Sequence, residues 1–114
     1  MAEITIYHNP RCSKSRETLK LIEDRGIAAT VVEYLKTPPS AEELARILAA
    51  LGKSPAEIVR RKEAAEAGID PAALSDADLI RAMVAHPAII ERPIVVAGDK
   101  AALGRPPEAV LEIL

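Results

Sequence analysis

The chain has 114 residues, 49% of them hydrophobic, which is enough for a single modest core and leaves little for a second. With two Tyr, no Phe and no Trp, it has no rings to spare for stacking on single-stranded nucleic acid. A formal charge of −2 gives no overall pull toward nucleic acid or an anionic membrane, so neither is expected as a partner.

Residues 4–7 form a short apolar run that predicts a first strand. A helix is predicted from Ser13 to about Arg25, with Leu19, Leu21 and Ile22 on its buried side. Gly26, which accepts the left-handed conformation, closes it. Residues 29–35 are β-branched and aromatic and predict a second strand. Strand, helix and strand at this spacing make a βαβ unit, whose strands run parallel.

Thr37-Pro38-Pro39 breaks the chain, and Ser40 with Glu43 forms a capping box ahead of Leu44, Ile47, Leu48 and Leu51. Ser54-Pro55, with Glu57, opens another predicted helix that carries Ile58, Val59 and the basic triplet Arg60-Arg61-Lys62. Gly68 and Pro71 interrupt residues 63–73. Ser75 and Asp78 then start a helix with Leu79, Ile80, Met83 and Val84 that ends near His86-Pro87. Residues 40–86 read as a helical insert, because none of these helices carries enough apolar area to stand alone.

Residues 93–97 predict a third strand, and Gly98-Asp99 turns the chain into a short antiparallel fourth strand at 100–103. Pro106-Pro107-Glu108 begins a last helix. The order is that of an α/β, thioredoxin-like (glutaredoxin-like) fold. It has a mixed four-stranded sheet flanked by helices and a helical insert between strands two and three, with residues 1–114 as a single domain.

Cys12 is the one cysteine, so no intramolecular disulfide is available and any disulfide chemistry needs another molecule. A reducing, cytoplasmic location is expected. No cationic and apolar leader precedes the first strand, no apolar run reaches the roughly 18 residues of a membrane span, and the chain reads as complete. Cys12 falls where the first strand gives way, through His8-Asn9-Pro10-Arg11, to the first helix. Unpaired N–H groups and the positive helix end there favour the thiolate.

His8 is a candidate proton handler or thiolate neighbour, or else a brace for the loop. Ser15 stands where a Cys-x-x-Cys pair would have its second sulfur. Its hydroxyl can donate to the thiolate but cannot resolve a mixed disulfide. Asn9 and Ser13 either shape the same pocket or cap the turn. Arg60, Arg92 and Arg105 each fall at an element edge, and arginine offers planar, bidentate donors to a tetrahedral oxyanion. Arg92-Pro93 precedes the third strand, and the thioredoxin-like plan calls for a cis peptide there. One Cys and two distant His lack metal-ligand spacing, and no glycine-rich phosphate loop is present.

The run Ile4-Thr-Ile-Tyr-His-Asn-Pro-Arg-Cys12-Ser-Lys-Ser-Arg16, with Tyr34-Leu-Lys-Thr-Pro-Pro39, Arg60, Glu91-Arg-Pro-Ile-Val-Val96 and Gly104-Arg-Pro-Pro107, resembles the glutaredoxin-dependent arsenate reductase family over essentially the whole chain. The resemblance implies reduction of arsenate to arsenite, with glutathione as co-substrate, glutaredoxin as partner and no bound cofactor. It puts the nucleophile on Cys12, the active-loop histidine on His8, the thiolate-tuning serine on Ser15 and the oxyanion-binding arginines on Arg60, Arg92 and Arg105. Asn9 is expected beside the oxyanion, and the protein is expected to be a monomer. Two other classes share this plan: a thioredoxin-like transcription regulator that touches RNA polymerase, and a thiol oxidoreductase acting on some other glutathione-linked substrate.

Overall fold

The computed structural model describes residues 3–114. Met1 and Ala2, the first residues of the expected 1–114 domain, lie outside the described residues. Two compact units are distinct: residues up to Thr37 together with Arg92–Leu114 form the first, and Pro38–Glu91 form the second.

The first unit holds the sheet. Strand β1 (Ile4–His8) leads into helix α1 (Ser13–Asp24), which returns the chain to strand β2 (Thr30–Glu33). Strands β3 (Ile94–Ala97) and β4 (Lys100–Leu103) close the unit with a 3₁₀ helix, Pro107–Ile113. The sheet order is β2-β1-β3-β4. β1 pairs parallel with β2, as a helical crossover requires, and antiparallel with β3. A two-residue turn with Gly98 at φ +63° joins β3 antiparallel to β4.

Burial follows the two-residue period of a strand. In β1, Ile4, Ile6 and His8 point to the buried side, while Thr5 and Tyr7 are half-buried on the other. Ile4 and Ile6 join Ile22 of α1, Val95 and Ala97 of β3, and Val110 of the 3₁₀ helix in one core. Helix α1 ends at the expected glycine: Gly26 takes φ +73°, and its N–H reaches Glu23 O at 2.9 Å while that of Ile27 reaches Ile22 O at 3.3 Å.

Several local expectations are corrected. The buried side of α1 is Ser15, Thr18 and Ile22, with Leu19 and Leu21 only half-buried, because the sheet end near Cys12 demands close approach more than bulk. β2 stops at Glu33, not at residue 35: the N–H groups of Lys36 and Thr37 both turn back to Glu33 O, which buries Tyr34 and exposes Leu35. The closing segment winds as a 3₁₀ helix.

In the second unit, α2 (Ala41–Leu51) and α4 (Asp76–Ala85) pack together, with Leu44, Ile47, Leu48, Leu79 and Met83 buried. Ser40 Oγ accepts the Glu43 N–H at 3.1 Å, and Ser75 Oγ that of Asp78 at 3.2 Å, so both helices begin where the sequence puts a hydroxyl cap. The expected continuous helix from Ser54 through residue 62 is broken. It becomes a 3₁₀ turn, Pro55–Ile58, and a separate α3, Arg61–Glu66, with Val59 extended between them. A non-local pairing causes the break: Val59 bridges Ile90, Arg60 N–H reaches Ile89 O at 2.6 Å, and Glu91 N–H reaches Ile58 O at 2.7 Å. Among the described residues, no helix is long and apolar enough to cross a membrane.

Because Ile22 is fully buried in the first unit's core, Ile22→Ala should cost about 2–5 kcal/mol in urea-unfolding free energy. Leu35→Ala, at a position 44% exposed, should stay within about 0.5 kcal/mol of the parent.

Candidate active site

The pairing of the strands decides which side chains meet. Antiparallel pairing with β1 sets the start of β3 beside the end of β1, and antiparallel pairing with β3 brings the end of β4 to the same edge. The loop after His8, the Arg92-Pro93 step and the Gly104-Arg105 step therefore share one end of the sheet. The positive end of α1 points there too.

His8 ends the buried face of β1, and this puts its ring against the first turn of α1. Its Nδ1 lies 2.6 Å from Ser15 Oγ, and the Asn9 N–H donates to the same oxygen at 3.0 Å. All three residues are buried, Ser15 completely. The loop between them is held at each step. Asn9 Oδ1 accepts the Arg11 N–H at 3.0 Å, Asn9 O accepts the Cys12 N–H at 3.0 Å, and Arg16 Nη1 donates to Pro10 O at 3.0 Å. His8 and Ser15 thus brace the loop, and the Ser15 hydroxyl, expected to donate to the thiolate, is turned back toward β1.

Cys12 is the N-cap of α1, half-buried, in extended backbone conformation, and the first turn that follows contains no acidic residue. Burial pushes its thiol pKa up. Against this, the Ser15 N–H, the Arg92 guanidinium and its charge, and the Lys14 N–H all favour the charged sulfur, so the net pKa is lowered. Backbone donors and one arginine therefore favour the ionised form of this sulfur. His8 moves in the same direction for another reason. Burial lowers its pKa, the carboxylate of its register partner Glu33 raises it, Arg16 lowers it, and the net is a ring kept neutral.

Both X-Pro bonds at this edge, Arg92-Pro93 and Arg105-Pro106, are cis, the second without an expectation from the sequence. Arg105 Nε donates to Arg92 O at 2.9 Å, which ties the two arginine steps together. Arg60 belongs to the second unit, where its Nε is 2.9 Å from Glu63 Oε2 and its Nη1 is 3.4 Å from Glu91 Oε1. Reading the residues did not single out Lys14 as a backbone donor, nor Thr18 and Gly104 as packing partners at this edge. Only the run Gly104-Arg-Pro-Pro107, quoted for the family resemblance, marked the region. Among the described residues, no three His, Cys, Asp or Glu side chains converge as a metal site.

A single-cysteine, thioredoxin-like site beside arginine-proline steps defines the class. Residues 7–113 match the ArsC family, and the chain belongs to it. An arsenate reductase of Neisseria meningitidis serogroup A is 51% identical, with all of both chains covered. An uncharacterized protein of Escherichia coli K12, YfgD, is also 51% identical over 98% of this chain and 97% of its own. Among solved structures, an arsenate reductase from Vibrio cholerae superposes with a TM-score of 0.89 at 51% identity, covering 99% of this chain and 98% of that one.

Ser15→Ala would strand a buried N–H and a buried ring nitrogen, and should lower stability by about 1–3 kcal/mol in denaturant unfolding. The lowered His8 pKa sets a pH dependence. The unfolded chain takes up a proton near the ordinary value of 6.5 that the folded ring resists, so this stabilisation is complete above 6.5 and is lost as pH falls through the folded value. Unfolding free energies measured at pH 7.5 and 5.5 should therefore drop more for the parent than for His8→Asn.

Proposed function

We propose that this chain is an arsenate reductase that uses Cys12 as its nucleophile and glutathione and glutaredoxin as its reductants. The observation that carries the reading is a partly exposed Cys12 sulfur whose pKa is lowered by two nearby backbone N–H groups and the Arg92 guanidinium, in a chain with no second cysteine to resolve a disulfide.

The chemistry follows from those groups. The Arg92 and Arg105 guanidinium groups neutralise and orient a tetrahedral oxyanion. The Cys12 thiolate attacks arsenic, an oxygen departs as water, and a thiol–arsenate adduct forms. A glutathione thiolate then bonds to the Cys12 sulfur. The electron pair of the sulfur–arsenic bond leaves with arsenic, which falls from the +5 to the +3 state. The remaining Cys12–glutathione disulfide is opened by a glutaredoxin thiol, which returns Cys12 to the thiolate.

In this scheme His8, Asn9 and Ser15 hold the loop, and a neutral His8 leaves the local positive charge to Arg92. Arg60 takes its oxyanion-binding role from the family resemblance alone. Dependence on external thiols fits a reducing compartment such as the cytoplasm. The name of the Neisseria relative, with its full-length coverage, supports arsenate over other tetrahedral anions.

Coupled NADPH oxidation with glutathione, glutathione reductase, glutaredoxin and arsenate should proceed with this protein and vanish with Cys12→Ser. Arg92→Ala should lose about 100-fold or more in kcat/KM, the usual cost of removing one preorganised oxyanion donor. An inert parent protein in that assay would defeat the arsenate reading.

A further inference from the structure

One residue at this edge has no side chain and no room for one. Gly104, just past β4, is buried, and its N–H donates to Pro93 O at 2.9 Å, one step beyond the Ile94–Leu103 pair of the β3–β4 ladder. Its φ is not positive, so the backbone dihedral by itself does not demand glycine. Space is what the site requires. A Cβ at position 104 would lie 2.5 Å from Thr18 Oγ1, 2.6 Å from Pro93 Cγ and 3.1 Å from Pro93 Cδ.

Neither neighbour retreats cheaply. Thr18 is fully buried, stiff at its branched Cβ, and tied by its hydroxyl to Lys14 O at 2.7 Å. Pro93 is also fully buried, and its ring is part of the backbone that carries Arg92. A shift of the ring is therefore a shift of the Arg92 Cα. On the other side, Arg105 follows Gly104 directly and grips Arg92 O. Helix α1, the start of β3 and the end of β4 thus meet at one point where only hydrogen fits.

We propose that Gly104 is a positioning residue of the active site: the space left by its missing side chain seats the Pro93 ring against Thr18 of α1 and so holds the Arg92 guanidinium at the Cys12 sulfur. The chain of contacts runs from Gly104 to Pro93, from Pro93 to Arg92, and from Arg92 to Cys12. Among the charged side chains around Cys12, Arg92 is the one whose charge acts on the sulfur, while Lys14 and Ser15 reach it through their backbone N–H groups. The inference rests on Cys12 as the proposed nucleophile and not on the identity of the oxyanion. Titrating the thiol without substrate keeps the two readings apart.

The test is the pH dependence of iodoacetamide alkylation of the intact protein, compared across Gly104→Ala, Arg92→Ala and the double variant, with circular dichroism reporting the fold. Each single variant should move the midpoint upward and slow alkylation at pH 6.5 by about threefold to tenfold, the loss of thiolate being partly offset by the higher nucleophilicity of a more basic sulfur. In the Arg92→Ala background, Gly104→Ala should add no further shift, because it acts through the arginine already removed. A folded Gly104→Ala protein with the parental midpoint would overturn the proposal, and so would shifts that simply add. Should Gly104→Ala fail to fold, Thr18→Ala/Gly104→Ala removes the hydroxyl overlap and keeps the overlap with Pro93. That protein should fold with a raised midpoint, and a parental midpoint would overturn the proposal.

Discussion

The buried hydroxyl of Ser15 is the contact on which the rest of the site depends. A polar group removed from water must find partners inside the protein, and here it finds His8 Nδ1 on one strand end and the Asn9 N–H in the loop. Satisfying that one oxygen pins the loop to the first turn of α1 at both ends. The same turn then has its Lys14 and Ser15 N–H groups free to point at the Cys12 sulfur. A serine in the place of a second cysteine is thus a structural tie between the loop and α1.

The lowered pKa of Cys12 is reached against an opposing force. Burial of Cys12 favours the neutral thiol, and it is the largest single influence on the sulfur. Several donors together outweigh it, and they come from two different parts of the fold. Two are backbone groups that any residues in the first turn would supply. The third, Arg92, is contributed by the start of β3, and its place depends on sheet pairing and on the close contact of Pro93, Thr18 and Gly104.

Much of this was legible along the chain because the signals are local. Gly26 stops its helix by accepting positive φ, Ser40 and Ser75 begin theirs by capping, and Gly98-Asp99 turns the hairpin. What was not legible came from distant partners. Val59 would sit in a helix by its neighbours, but the strand-like bridge to Ile90 pulls it out. Residues 34 and 35 have strand composition, yet the turn onto Glu33 O buries one and exposes the other. The hydroxyl face of α1 runs against simple hydrophobic periodicity, because Ser15 and Thr18 meet polar atoms and a glycine, not bulky side chains.

By itself, the sequence determined the lone sulfur at a strand-to-helix junction, the absence of any internal partner for it, and the order of elements that makes a thioredoxin-like sheet. Those are matters of composition and of short-range backbone preference, which nearby residues decide. Only the tertiary structure decided that the Ser15 hydroxyl serves His8 while its N–H serves Cys12, and that Arg92 reaches the sulfur across a contact no side chain at position 104 would allow. Such facts depend on which strand lies beside which and on tenths of an ångström between buried atoms, and neither is encoded in the spacing of residues along the chain.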